Sequence, residues 1–132
     1  MKVLALDYGS ARTGVAVSDP TGSIARPLDV VEGASGDEGL RRLAQIAQTE
    51  GVDRIVVGLP LTLRGEHGAQ AEETEDFVAR LREATSVPVV PFDERYTTRL
   101  AESHPAEAPS DAVAAAHLLS GYLTWLSAHP AT

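Results

Sequence analysis

The sequence predicts an α/β domain built on a mixed sheet, with antiparallel strands at the amino terminus followed by parallel strands reached through helical crossovers. Three observations carry that expectation. An apolar run from Val3 to Leu6 delivers a lone carboxylate, Asp7, and small and glycine residues then lead into a second apolar stretch from Gly14 to Ser18, the pattern of a buried strand and its hairpin partner. Helix-period stretches then alternate with β-branched runs, which requires right-handed crossovers between parallel strands. Finally, 132 residues suffice for one hydrophobic core and not for two, so residues 1–132 are expected to form a single domain.

Taken in order, the first strand ends at Asp7, and Tyr8 to Thr13 make the tight connection, with Gly9 allowing backbone or ligand to come close and Arg12 nearby. Pro20-Thr21-Gly22 is a turn. Ser23 to Val31 reads as a third strand, placed at an edge or a bulge by Pro27. From Asp37, Leu40, Leu43, Ala44 and Ala47 recur at helical spacing up to a capping Gly51. Arg54 to Gly58 is a β-branched central strand. The stretch from Leu59 to Gly68 carries too many breakers for a regular element. A charged helix follows over Ala69 to Ala84 with Phe77, Val78 and Leu81 inward, and its acidic run from Glu72 to Asp76 reads as a solvated face favoured by the helix dipole. Val87 to Phe92, with two prolines, is an edge strand ending in Asp93-Glu94. Arg95 to Glu102 reads as a short helix and His104 to Pro109 as a connector. Ser110 caps a last helix whose apolar face is Ala112, Ala115, Ala116, Leu119, Leu123 and Leu126.

Composition excludes several functions. Without cysteine there is no disulfide, thiolate metal site or cysteine nucleophile, so any metal is held by oxygen or by one of four histidines. The amino terminus enters a strand directly and no window has the length of a membrane span, which sets the expectation of a cytoplasmic protein without membrane contact. A net charge of −8 has the wrong sign for a generally basic nucleic-acid surface, so a phosphate partner requires locally gathered positive charge. Ten of the eleven basic residues are arginine, whose planar fork suits phosphate.

Asp7, Asp93-Glu94 and Asp111 stand at element ends, and in an open sheet the carboxyl ends of parallel strands share the edge where ligands bind. Carboxylates converging there repel unless a hard cation joins them; Mg²⁺ or Mn²⁺ suits such a site, and two ions about 3.5–4 Å apart can drive an in-line phosphodiester displacement. The same residues admit a plainer reading, with Asp93 paired to Arg95 or Arg99 and Asp111 favoured by the helix dipole. Asp7, directly after a buried strand, needs a partner under either. His67 and His104 lie on candidate site loops but read as surface residues, and His117 reads as structural.

Asp-Tyr-Gly-Ser-Ala-Arg-Thr-Gly-Val-Ala-Val-Ser-Asp from Asp7, Val-Val-Gly-Leu-Pro-Leu from Val56, Asp-Glu-Arg-Tyr-Thr-Thr from Asp93 and Asp-Ala-Val-Ala-Ala-Ala from Asp111 resemble, in order and across the whole chain, the successive signatures of the YqgF (RuvX) family. That resemblance implies membership of the RNase H-like superfamily, beside the RuvC Holliday-junction resolvases, with a five-stranded mixed sheet flanked by helices. It implies a nuclease maturing the 5′ end of precursor small-subunit ribosomal RNA, with a divalent-metal site formed by Asp7, the Asp93-Glu94 pair and Asp111. Asp7 would bridge the metals, with Glu94 and Asp111 as the further catalytic ligands and Asp93 the less certain member of its pair. Arg95 would contact phosphate or brace its loop, Arg12, Arg64 and Arg99 would contact substrate, and Gly58-Leu59-Pro60 would shape the loop over the site. Two departures stand out: the segment before Asp111 is shortened and reads Pro-Ala-Glu-Ala-Pro-Ser where members often carry lysines, and Thr62 stands nearest a familiar asparagine.

The substrate expected is therefore structured or single-stranded RNA, or branched DNA. A branched-DNA resolvase would act as a homodimer, because two equivalent cuts need two equivalent sites. The missing lysines and acidic surface also support a different class of function, a nucleic-acid or transcription-machinery binding factor with weak catalysis. Asp-Tyr-Gly after a first strand resembles the phosphate hairpin of actin-like and sugar-kinase-like ATP binders too, but those clamp nucleotide between two such domains and this chain has room for one.

Overall fold

The structure, a computed structural model, describes residues 1–60, 68–93 and 111–129. Its elements are β1 (Val3–Asp7), β2 (Arg12–Ser18), β3 (Ala25–Glu32), α1 (Asp37–Glu50), β4 (Arg54–Leu59), α2 (Ala69–Ala84), β5 (Val89–Asp93) and α3 (Asp111–Ala128). The five strands form one sheet in the order β3-β2-β1-β4-β5. β2 is antiparallel to both β1 and β3, whereas β1, β4 and β5 run parallel.

The central position of β1 explains its unbroken apolar sequence. Val3, Leu4, Ala5 and Leu6 are all fully buried because helices cover both faces. Their side chains alternate between two cores. Leu4 and Leu6 join Val15, Val17, Leu43, Phe77 and Leu81 beneath α1 and α2. Val3 and Ala5 join Ala16, Val56, Phe92 and Leu119 beneath α3. Truncating any fully buried leucine here to alanine costs about 2–5 kcal/mol.

The expected elements recur with small shifts. β3 is an edge strand and also bulged: Val15 pairs with Asp29 and the next residue, Ala16, with Pro27, so Leu28 is skipped where the proline removes a donor. Helix α1 ends in a Schellman cap, with Gly51 at φ 63° donating to the Gln48 carbonyl at 3.1 Å and Val52 to Ala47 at 3.2 Å. β5 is the opposite edge and starts two residues later than the apolar run, since the Val87 N–H donates to the Thr85 hydroxyl at 3.2 Å and Pro88 has no N–H to pair. On α3, Leu118 and Tyr122 are buried as well as Ala112, Ala115, Leu119 and Leu123, whereas Ala116 and Leu126 are only partly covered. The helix crosses several strands, so its covered face is wider than a single i, i+3/i+4 stripe. The expected short helix over Arg95 to Glu102, the connector after it and the Ser110 cap lie outside the described residues.

The β2–β3 turn is organised by Asp19. Its carboxylate accepts the Ser23 and Ile24 amides at 2.7 and 2.8 Å, the Thr21 amide at 3.2 Å, and the Thr21 hydroxyl. The Thr21 hydroxyl, then the Ile24 amide, hold this carboxyl well below the ordinary carboxylate range. A depressed folded-state pKa supplies stability that is present above the unfolded-state value near 3.9 and is lost as pH falls below it. Urea denaturation between pH 5 and pH 2 is therefore expected to show a steeper acid loss of stability in the wild type than in Asp19→Asn.

Candidate active site

The three parallel strands end together. Leu6 is level with Val57, Gly58 with Phe92 and Leu59 with Asp93, so continuing the β1 register by one residue sets Asp7 in the row of Gly58 and Phe92. Asp7 follows Val3 and Ala5 in the pleat and so belongs to the α3 side of the sheet. Asp93 follows Val89 in the pleat of β5, the row of the α1/α2 core, and thus alternates away from Asp7.

Gly14 determines where α3 begins. It is the cross-strand partner of Asp7. A Cβ placed on it would lie 1.8 Å from the Asp111 carbonyl oxygen, 2.3 Å from the Asp111 carbonyl carbon and 3.0 Å from the Ala112 nitrogen. Only a residue without a side chain lets the first peptide of the helix rest on β2, and this brings Asp111 beside the strand position of Asp7. The β1–β2 turn is equally tight: a Cβ on Gly9 would meet the Arg12 carbonyl oxygen at 2.4 Å, and the buried Thr13 hydroxyl sits 3.4 Å from the Gly9 amide and 3.5 Å from its carbonyl.

That turn carries Arg12 to the same place. Its Nε lies 3.2 Å from Asp111 Oδ2, with the two side chains 64% and 41% exposed. A pair this exposed contributes about 0–1 kcal/mol and opens readily. Arg12, expected from sequence as a substrate contact, is thus at the site but resting on one of its carboxylates.

On the other flank, Asp7, Gly9, Pro60 and Glu73 border a polar cleft of about 160 Å³ beneath Tyr8. The Tyr8 ring stacks on Phe77 with centroids 4.3 Å apart, and its hydroxyl donates to Glu73 Oε1 at 3.4 Å. Glu73, part of the acidic run read as a solvated face, is exposed as expected yet borders this cleft. Neither Gly14 nor Glu73 was singled out from sequence; the usable signal for Gly14 was a glycine inside a strand pattern, which marks a close backbone approach.

Of the remaining candidates, Gly58 is buried in β4 and Pro60 lines the cleft. Glu94, Arg64, Arg95, Arg99, His67 and His104 lie outside the described residues. Among the described residues, no three histidine, aspartate or glutamate side chains cluster closely enough to hold a metal ion. No helix among them is long and apolar enough to cross a membrane.

A family model described as RuvX, Holliday junction resolvase, matches residues 1–125. The chain belongs to the RuvX family. A relative from Chloroflexus aurantiacus, provisionally named a pre-16S rRNA nuclease, is 42% identical over 137 aligned positions, covering 97% of this chain and 90% of its own. One of the same provisional name from Geobacillus kaustophilus is 47% identical over 104 positions, covering 77% of this chain and 75% of its own. Among solved structures, Thermus thermophilus RuvC in complex with a Holliday junction substrate superposes with a TM-score of 0.70 at 15% identity, covering 98% of this chain and 96% of that one. A second T. thermophilus RuvC structure gives 0.63 at 16% identity. These similarities establish the RNase H-like fold expected of a RuvX-family chain.

The seating of α3 makes a direct prediction. Gly14→Ala forces strand and helix apart and should lower stability by about 1–3 kcal/mol or more in chemical denaturation.

Proposed function

We propose that this chain is a divalent-metal-dependent nuclease that hydrolyses phosphodiester bonds in maturing the 5′ end of precursor small-subunit ribosomal RNA. Membership of the RuvX family, and relatives provisionally named for pre-16S rRNA cleavage, support nuclease chemistry. The observation that carries the site assignment is the contact of the first α3 peptide with Gly14, the cross-strand partner of Asp7.

The residues suit a hard cation. Asp7 and Asp111 offer only carboxylate oxygens, the donors Mg²⁺ and Mn²⁺ take, and Asp111 already attracts a cationic group in Arg12. Glu94 completes the proposed ligand set in preference to Asp93, whose pleat position alternates away from Asp7. Two such ions, when bound, would acidify a water and stabilise the leaving oxygen. The chain supplies position: Asp7 on the central strand, Asp111 on the first turn of a helix packed along its length. Arg12, exposed and weakly paired, offers a phosphate the planar fork that suits it, and Arg64, Arg95 and Arg99 are the further proposed phosphate contacts. Water attacks in line, leaving a 5′-phosphate and a 3′-hydroxyl. Such a protein acts in the cytoplasm, as one domain.

A second reading is cleavage of branched DNA, favoured by the family description as a Holliday junction resolvase. It requires a homodimer with two equivalent sites.

Both readings are tested by incubating wild type, Asp7→Asn and Asp111→Asn with an end-labelled ribosomal RNA precursor and a four-way DNA junction in Mn²⁺, Mg²⁺ or chelator. The expected result is cleavage of the precursor that chelation abolishes and that each substitution lowers more than about 100-fold, since loss of even an outer-shell partner costs 10–100-fold. Preferential cutting of the junction would select the resolvase. Cleavage that survives chelator or Asp7→Asn would contradict the metal nuclease, and binding without cleavage would favour the binding factor.

A further inference from the structure

A trench of about 460 Å³ runs along the outer edge of the sheet between β5 and α3, lined chiefly by apolar atoms. One end is Asp93, where β5 reaches the candidate active edge, and the other is Arg54, at the start of β4. From Val89 to Asp93 this spans roughly 13 Å at the rise of an extended strand. Its wall is aromatic. Phe92 meets Tyr122 edge-on at 5.1 Å and Trp125 at 5.9 Å, and the Tyr122 and Trp125 rings lie within 14° of parallel. Phe92 and Tyr122 are buried, 6% and 3% exposed, whereas Trp125 is only partly covered.

We infer that this trench holds the unpaired bases of a nucleic-acid strand as it leaves the active edge, with Trp125 as the stacking surface and Arg54 as the phosphate contact at the far end. The inference rests on the reading that the substrate is a nucleic acid. Three features select this occupant over an apolar peptide. Trp125 already carries a flat nitrogen heterocycle: the His129 imidazole stacks on it with centroids 4.3 Å apart and planes 16° from parallel. Nucleobases stack on such surfaces regardless of sequence. The trench is continuous with the candidate site, because Phe92 stands in the same cross-strand row as Asp7, two strand spacings or about 10 Å away. And Arg54 is tethered at the trench: its Nη1 donates to the Tyr122 hydroxyl at 2.8 Å, which orients the guanidinium while using one of its five donors. In a chain with a net charge of −8, a cation fixed at the end of an aromatic trench is the kind of local charge a phosphate backbone requires. A paired duplex would not fit this description, because its base faces are covered by their neighbours.

Trp125 is the only tryptophan of the chain, so its fluorescence reports on the trench directly. The full-length protein in chelator, where cleavage plays no part, is titrated with a single-stranded RNA oligonucleotide, a duplex of the same sequence and an abasic oligonucleotide of the same length, binding being followed in parallel by anisotropy of the labelled nucleic acid. The expected result is saturable quenching by the single strand and little by the duplex or the abasic strand. Trp125→Leu should bind the single strand about 5- to 150-fold more weakly, Trp125→Phe should largely restore binding, and circular dichroism should show both folded. Should Trp125→Leu not fold, quenching of the wild type and the binding of Trp125→Phe still decide the matter.

Binding with unchanged Trp125 emission, quenching equal with the abasic strand, or no binding of the single strand would each overturn the inference. So would a dimer in sedimentation that Trp125→Asp dissociates while single-strand binding is unaltered, which would make the trench a contact between copies. Cleavage intact with no quenching removes the trench alone; quenching intact with no cleavage in Mn²⁺ removes the nuclease reading alone.

Discussion

The contact between the first peptide of α3 and Gly14 is the constraint on which the rest of the proposed site depends. A helix of eighteen residues, Asp111–Ala128, could rest on this sheet at many heights. Its amino-terminal half carries alanines, Ala112 and Ala115, which let it approach closely, and its carboxyl-terminal half carries Tyr122 and Trp125, which hold it off the sheet and fill the space at β5. Gly14 removes the last obstacle at the upper end. The same absence of a side chain that weakens a strand by roughly 0.5–1 kcal/mol relative to alanine is what permits the first peptide of the helix to rest on the cross-strand partner of Asp7.

Charge is organised on the same economical scale. Among the described residues, several surface cations are matched to acids: Arg42 to Asp29 at 2.8 Å, Arg80 to Asp37 at 3.6 Å, and Arg26, with Lys2, to Glu50 at 3.7 and 3.3 Å. Exposed pairs of this kind stabilise little, but they cancel the positive field that would otherwise spread over the surface. Two other cations among the described residues are placed where a polyanion could use them. Arg12 stands at the active edge on a weak pair, and Arg54 is fixed by Tyr122 at the foot of the aromatic trench. An acidic protein can engage nucleic acid in this way, through a few directed contacts.

Most of the fold was legible because local signals agreed with the global arrangement. The buried run before Asp7, the cap at Gly51, the β-branched run of β4 and the bounds of α2 each had one physical reading, and the structure adopts it. Pro27 signalled an edge or a bulge, and β3 has both. Less was legible where contact is tertiary. The burial of Leu118 and Tyr122 depends on how α3 crosses the strands, which periodicity within the helix does not encode. A glycine at position 14 marks a close backbone approach, but nothing local to β2 says that a helix is what makes it. Glu73 lies in a run of acids that composition does not tell apart, and only the seating of α2 decides which of them borders the cleft. The RuvX-family resemblance is legible because its motifs include short polar stretches, such as Asp7-Tyr8-Gly9 or Asp93-Glu94, that packing alone does not call for.

Shared coordination of a bound metal ion by Asp7 and Asp111 is the step on which the proposed nuclease site stands or falls. Calorimetric titration of Mn²⁺ into the wild type, Asp7→Asn, Asp111→Asn and the double variant tests this most directly. Each single substitution is expected to weaken the same binding event, with the double variant losing little more than either single one, the non-additivity of two ligands to one ion. Independent, additive losses, or Mn²⁺ affinity unaffected by Asp111→Asn, would contradict it.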